Sequence, residues 1–184
     1  MIPLGQLVEI RSGYTFRDAI AELEAGETAV IQAGDINSAR LAEAPRVKFD
    51  NPKHLLKAGD ILVSARGGVV ARTVTPDLLP AVAASSVFVL RPHSVHLNSK
   101  YIARFLNSPT GQAALRKISS GGYIRTLRKS ELATIEIPPP SNNTQNKIVT
   151  LGETVDEYKR LLERKQQLIQ ELYNKTIANI KENK

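Results

Sequence analysis

Short apolar runs, separated by glycine, proline and polar residues, make up the first three quarters of the chain. The runs are rich in β-branched residues and some alternate apolar with polar positions, which is typical of strands. Residues 2–10 predict a further short helix or strand, and residues 34–37 predict a turn. The pattern therefore predicts an irregular, mostly β body with strands at residues 29–32, 46–49, 61–65, 69–74, 82–90 and 131–137.

Two short helices are predicted within this body, ahead of the last strand. Ser99 can cap a helix that continues to residue 107. Ser108 and Pro109 supply the cap and the first-turn proline of a second helix, which ends at residue 118. Helices that alternate with strands in this irregular way predict an α+β fold.

A proline triplet at residues 138–140 divides the chain, because neither a helix nor a central strand can pass through it. Residues 142–180 lack proline, and their apolar residues recur at alternating spacings of three and four, which is a heptad pattern. We therefore expect a first domain at residues 1–140 and a long coiled-coil helix at 141–184. The apolar seam consists of Ile148, Leu151, Val155, Tyr158, Leu162, Ile169 and Leu172.

The predicted helix is about 57 Å long, and Lys165 interrupts its seam while Leu161 and Leu168 widen it. A stripe this narrow suits a second helix better than a broad core face. The alternative is an amphipathic helix that packs along its own domain.

Charge indicates a polyanionic partner. The formal net charge is +7, and between Asp60 and Glu131 the only acidic residue is Asp77, against ten arginines and lysines. The like charges of such a stretch repel one another unless phosphate groups compensate them. Arginine is suited to binding phosphates and the edges of guanine bases. The pattern favours nucleic-acid binding over a basic surface that serves solubility alone.

Several classes of protein are excluded or disfavoured. The chain has no cysteine and no P-loop, dinucleotide-binding, zinc-peptidase or adenine-methyltransferase signature. We expect no catalytic residue, no metal site and no cofactor, and a small nuclease remains only a minor alternative. No apolar run is long enough to span a bilayer and the first residues lack a secretory pattern, so we expect a cytoplasmic protein without membrane contact.

Two segments combine glycine, an aromatic residue and cations, a mixture that contacts phosphates and sugars in DNA. One covers residues 11–17, where Phe16 is expected in the core, and the other covers residues 121–129. Arg66 follows a predicted strand and precedes two glycines, so it could reach DNA or belong to an ordinary turn. The predicted DNA contacts are Arg11, Tyr14, Arg17, Arg66, Arg72, Tyr123, Arg125, Arg128 and Lys129.

The order of these motifs is similar to that in a known family. Residues 99–108, the Gly121-Gly122 break, Leu127 with residues 130–132, the segment 135–140 and residues 145–148 ahead of the long helix resemble one repeat of the specificity subunits of type I restriction-modification systems. Residues 4–5, 12–15 and 58–68 also resemble that family, so the likeness covers essentially the whole chain. Thr144 departs from the family pattern, in which an acidic residue is expected.

The resemblance implies an α/β target-recognition domain that reads one half of a split site in double-stranded DNA. It also implies recruitment of methyltransferase (modification) subunits and, for cleavage, of a restriction and translocation subunit. Family members typically carry two repeats whose helices pair as an antiparallel coiled coil. This chain carries one repeat, so its unpaired seam predicts a symmetric homodimer and a palindromic bipartite site. The alternatives are a stand-alone dimeric DNA-binding regulator and a piece of a longer subunit.

Overall fold

The computed structural model describes residues 1–66, 68–119, 126–138 and 140–182, with side chains described as far as Ile177. The chain forms two compact units, Met1–Asn146 and Lys147–Lys184. The regular elements, in chain order, are β1 (Ile2–Pro3), α1 (Leu4–Leu7), β2 (Val8–Ser12), β3 (Ala25–Ile31), α2 (Ala33–Ser38), β4 (Arg46–Val47), β5 (Ile61–Ser64), β6 (Ala71–Thr73), β7 (Ala81–Ala83), β8 (Val87–Pro92), α3 (Ser99–Asn107), α4 (Pro109–Ile118), α5 (Lys129–Ala133), β9 (Glu136–Ile137) and α6 (Asn142–Glu182).

One part of the core of the first unit lies between two sheets. The main sheet has the strand order β2-β8-β5-β6 and is antiparallel throughout. The second sheet has the order β4-β3-β7, in which β3 and β7 run parallel. Alternate residues of these strands point into one apolar cluster, as the two-residue period of a strand requires. That cluster includes Ala29, Ile31, Leu62, Ala81, Ala83, Val87 and Val89.

Most of the predicted elements are present, and the α+β fold with a long carboxy-terminal helix is confirmed. The helices predicted at 99–107 and 109–118 have the predicted bounds, and Ser108 caps the second one through a bond from the Gly111 amide. The first helix is capped by Asn98 and not by Ser99. Ser99 instead donates a hydrogen bond of 2.5 Å to the carbonyl of Gly59.

Three further predictions of local structure are wrong. The single strand predicted at residues 82–90 is two strands, β7 and β8, because a turn closed by the Val87 amide and the Ala84 carbonyl separates them. The turn predicted at residues 34–37 lies within α2, whose Asp35 carboxylate accepts from the Gln32 amide at the helix start. The strand predicted at residues 131–137 begins as α5, because Glu131 accepts from the Arg128 amide in the same way.

An ion pair between a buried aspartate and a partly buried arginine joins the turn before β5 to β8. The Arg91 guanidinium donates two hydrogen bonds to the Asp60 carboxylate, from Nε to Oδ1 at 2.7 Å and from Nη2 to Oδ2 at 2.6 Å. Asp60 is buried and also accepts from the Lys57 amide at 2.8 Å. The hydrogen bond to Asp60 raises the pKa of Arg91 above its ordinary value. A bidentate pair of this kind is strong only while both partners remain.

We expect Asp60→Asn to lower the free energy of unfolding by about 2 kcal/mol, because it removes the charge of a buried carboxylate that accepts two hydrogen bonds from Arg91. Urea unfolding followed by circular dichroism measures the change. Glu43→Gln is the matched control, since Glu43 is exposed and lies 3.8 Å from the Nη1 of Arg40, away from Asp60 and Arg91. Equal stability of the two variants would contradict the role of the buried pair.

Candidate nucleic-acid interface

The structure brings together predicted DNA contacts that are sixty residues apart in the sequence. Arg66 follows β5 and forms an antiparallel bridge with Thr126, and the Leu127 amide donates to the Ala65 carbonyl at 3.0 Å. The segment that leads into α5 therefore runs beside the end of β5. Arg128 and Lys129 follow directly, and both are exposed, as is Arg66. Tyr123 and Arg125, which belong to the same predicted contact segment, lie outside the described residues.

Polar side chains hold the backbone that follows Arg66. The hydroxyl of Ser64, which is fully buried, donates to the Gly68 carbonyl at 2.6 Å and accepts from the Val70 amide at 3.0 Å. The Asn107 amide group pairs with the Ala71 backbone through two bonds, accepting from its N–H at 2.9 Å and donating to its C=O at 2.8 Å. Gln112 donates to the Val69 carbonyl at 2.8 Å. Sequence reasoning missed these residues. A signal was present, because Asn107 and Gln112 carry amide side chains on either side of the junction between the two predicted helices.

Arg72 does not join this group. It lies on β6, is partly buried, and donates from Nε to the Ile36 carbonyl at 2.8 Å. Its guanidinium therefore connects the main sheet to α2. The sequence predicted a DNA contact for Arg72 and did not predict this hydrogen bond to the backbone.

Arg11 lies on β2, away from Arg66 in the strand order. Its Nη1 donates to the Lys53 carbonyl at 3.4 Å, a long bond, and its Nε lies 3.8 Å from Glu9. The Nε atom is shielded from solvent and has no hydrogen-bond partner among the described residues. Arg11 lines a cavity of about 60 Å³ together with Gly13, Tyr14 and His54.

Tyr14 belongs to an aromatic cluster and is not a freely exposed side chain. Its ring meets Phe16, Phe49 and His54 edge to face, with ring centroids 5.0, 5.1 and 5.0 Å apart. The cluster covers the outer face of the second sheet, where it packs on Val30, Val47, Val82 and Ala84. Phe16 therefore joins an apolar cluster, as predicted. Arg17 is exposed and lines an open cavity of about 400 Å³ beside these rings.

The second unit is part of α6, and its apolar seam is open to solvent. Leu151 and Leu172 each expose 67% of their surface, and the other predicted seam residues of this unit are also exposed. Leu161 and Leu168, which widen the seam, are exposed as well. Arg160 donates two hydrogen bonds to Glu157 on another face of the helix, which lowers the pKa of Glu157. Burying one seam side chain contributes about 1.5–3 kcal/mol, so the seam favours a partner.

Two other kinds of site are absent from the part of the chain that the structure describes. Those residues contain no group of three histidine, cysteine, aspartate or glutamate side chains that could hold a metal ion. Within the same ranges, no helix combines the length and the apolar character that crossing a membrane requires.

Comparison with known families decides the class of the chain. The family described as "Type I restriction modification DNA specificity domain" matches residues 1–173. The chain belongs to this family. The resemblance predicted from the motifs is confirmed, and so is the prediction of a DNA specificity domain in place of an enzyme.

Solved structures of specificity subunits share the fold. The S subunit of a type I system from M. genitalium is 21% identical with a TM-score of 0.61, over 84% of this chain and 38% of that one. The HsdS subunit from Thermoanaerobacter tengcongensis is 22% identical with a TM-score of 0.68, over 90% and 39%. A third structure, described as the basis of assembly and conformational transition of the type I R-M system, is 20% identical with a TM-score of 0.68, over 90% and 40%. The chain thus spans about two fifths of these proteins. No curated protein sequence matches it.

We expect Ser64→Ala to lower the free energy of unfolding by about 2 kcal/mol, because it leaves the Gly68 carbonyl and the Val70 amide without their partner. Ser85→Ala, at an exposed position of the turn between β7 and β8, is the matched control and should change stability by less than about 0.5 kcal/mol. Chemical unfolding of both variants measures the difference. A Ser64 variant as stable as the control would mean that water replaces the hydroxyl.

Proposed function

We propose that this chain is the DNA-reading subunit of a type I restriction-modification system and that each copy reads one half of a bipartite site. The observation that carries the proposal is the family match over residues 1–173, which takes in the first compact unit and most of α6. In this proposal residues 1–140 are the target-recognition domain and residues 141–184 are the spacer and dimerisation helix. The subunit acts on double-stranded DNA in the cytoplasm and performs no chemistry itself.

The exposed cations of the first unit support a DNA-facing surface. Arg66, Arg128 and Lys129 cluster around the bridge at Thr126, and no acidic residue of the sequence lies between Asp77 and Glu131. Phosphate contacts supply most of the affinity for DNA, and arginines that reach base edges supply the specificity. We assign Arg66, Arg128 and Lys129 to this surface, with Arg11, Tyr14 and Arg17 as a second group around β2. Tyr123 and Arg125, which lie outside the described residues, stay proposed DNA contacts from the sequence alone. Arg72 is the weakest candidate because its Nε already donates to the Ile36 carbonyl.

The exposed seam of α6 supports a homodimer. A second copy of the same helix would bury the seam residues Ile148, Leu151, Val155, Tyr158, Leu162, Ile169 and Leu172. Two-fold symmetry then places two identical recognition units on one duplex, so the target is a palindrome with an unread spacer. The dimer recruits methyltransferase subunits for modification and a restriction subunit for cleavage.

Mapping adenine methylation tests the function as a whole. The chain is co-expressed with its methyltransferase subunit, and the methylated motif is read from the genomic DNA. We expect two identical inverted half-sites around a spacer of unspecified sequence. An asymmetric motif would contradict the identical half-sites. DNA binding without methylation or co-purification of the methyltransferase would favour a stand-alone regulator instead.

Arg66→Ala should weaken binding to the mapped site by about 1–3 kcal/mol and relax the preference at one base pair if Arg66 reads a base. Titration of the cognate site and its single-base variants, at several salt concentrations, measures both effects. If Arg66 contacts only phosphate, the affinity for all DNA sequences falls by the same factor, and the affinity depends less steeply on salt concentration. Arg40→Ala is the control, because Arg40 is an exposed arginine paired with Glu43 that is outside the proposed surface. Equal binding by both variants would remove Arg66 from the interface.

Leu162→Glu should weaken dimerisation about a hundredfold or more, because it puts a charge into the middle of the apolar seam. Sedimentation equilibrium over a range of protein concentrations measures the dimer dissociation constant. Gln167→Glu adds the same charge on another face of α6 and serves as the control. A wild-type chain that stays monomeric at tens of micromolar would contradict the homodimer.

A further inference from the structure

An open cavity of about 400 Å³ lies beside the aromatic cluster that covers the second sheet. We propose that this cavity binds one nucleobase of DNA that has left the base stack, and that it prefers a base with an exocyclic amino group. This inference rests on the proposed function and goes beyond it by naming a separate site for a single base.

The size and the aromatic lining of the cavity suit a planar ring. Cavities of about 300–1,000 Å³ hold small molecules in proteins. The rings of Tyr14, Phe16 and Phe49 line this one, and proteins bind unpaired bases by stacking them on aromatic side chains. A base inside a duplex is covered on both faces by its neighbours, so only a base outside the stack can meet these rings.

The backbone around Gly13 holds the Tyr14 ring at the cavity. The Gly13 amide donates to the Val87 carbonyl at 2.9 Å, and the Tyr14 amide donates to the Ala83 carbonyl at 2.7 Å. A Cβ atom at position 13 would collide with the carbonyl oxygen of Ala84, so the close approach requires glycine. The aromatic wall is therefore fixed before a ligand binds, which lowers the entropy lost on binding.

Acidic and amide side chains at the same cavity favour a base that carries an amino group. Asp18, Asp50 and Asn51 line the cavity. Carboxylates accept hydrogen bonds from the amino group of cytosine, and asparagine bonds to adenine. Both aspartates are exposed, and the Asn51 side chain does not cap the turn that follows it. Uracil and thymine present a carbonyl oxygen in place of the amino group, which a carboxylate repels.

Two cations at the cavity can bind the phosphate of the same nucleotide. Arg17 is exposed, and Lys48 lies 3.5 Å from the carboxylate of Glu24 in an exposed pair. An exposed pair of this kind is weak, so Lys48 can turn to a phosphate. Aromatic rings also suit a quaternary ammonium group. Arg17 and Lys48 offset the charge of the two aspartates, so the lining gives such a cation no net attraction.

Two mononucleotides form a matched pair of probes. Deoxycytidine and deoxyuridine monophosphate differ only by an amino group against a carbonyl group on the base. We expect the full chain to bind deoxycytidine monophosphate at least about fivefold more tightly, because only its amino group donates to a carboxylate. Chemical-shift titration of the labelled protein measures both dissociation constants. Deoxyribose 5-phosphate reports binding of the phosphate alone and should bind about tenfold more weakly than deoxycytidine monophosphate.

Variants of the lining assign the preference to the cavity. Asp18→Asn and Asp50→Asn are made singly, and we expect at least one of them to abolish the preference, since an amide can donate as well as accept. Asp77→Asn is the matched control, because Asp77 is an exposed acid that does not line the cavity. Phe49→Leu keeps an apolar side chain but removes a ring, and should weaken both nucleotides about tenfold. Circular dichroism checks that every variant is folded.

A duplex with one unpaired cytosine tests the base within DNA, because an unpaired base leaves the stack at little cost. We expect the chain to bind this duplex about tenfold more tightly than the fully paired duplex, and Phe49→Leu should remove the gain. A duplex with an unpaired uracil should gain less.

The other outcomes separate this inference from the proposed function. Equal binding of the two mononucleotides, or a preference that both aspartate variants retain, would overturn the base site. A preference among mononucleotides without a gain for the unpaired cytosine would mean that the cavity takes a free nucleotide, which overturns a DNA base as its ligand. Each of these results leaves the DNA-reading function standing, since methylation mapping tests that function separately. Failure of the mapping with the base preference intact would overturn the function and not the cavity site.

Discussion

The buried pair of Asp60 and Arg91 is the interaction on which the main sheet depends. It ties the turn before β5 to β8, and β8 is the strand that pairs with both β2 and β5. A carboxylate is tolerated in such a place only when its charge and its lone pairs are matched, here by Arg91 and the Lys57 amide. The pair lies at the start of β5, and Arg91 faces Glu9 near the start of β2, so it anchors both strands at the ends opposite to those that lead to Arg66 and Tyr14.

The same pair reduces the number of cations that are available to bind a partner. Arg91 is neutralised by Asp60, and Arg72 donates to a backbone carbonyl, so neither guanidinium is free in the way that a count of charges implies. Exposed cations remain at Arg66, Arg128 and Lys129, around one bridge between distant segments. An excess of cations in the sequence thus becomes a local surface only through the fold, because some of the arginines hold the sheets together.

What the sequence predicts well is local, and what it misses depends on tertiary contacts. The cap at Ser108, the first-turn proline of α4 and the heptads of α6 act within a few residues, so the predicted helix bounds agree with the structure. Helices α2 and α5 are too short for a periodic signal, and each is started by one acidic side chain. The meeting of Arg66 with Thr126 could not be predicted, because it depends on a bridge across sixty residues. The family resemblance was predictable because it rests on the order of motifs and not on these contacts.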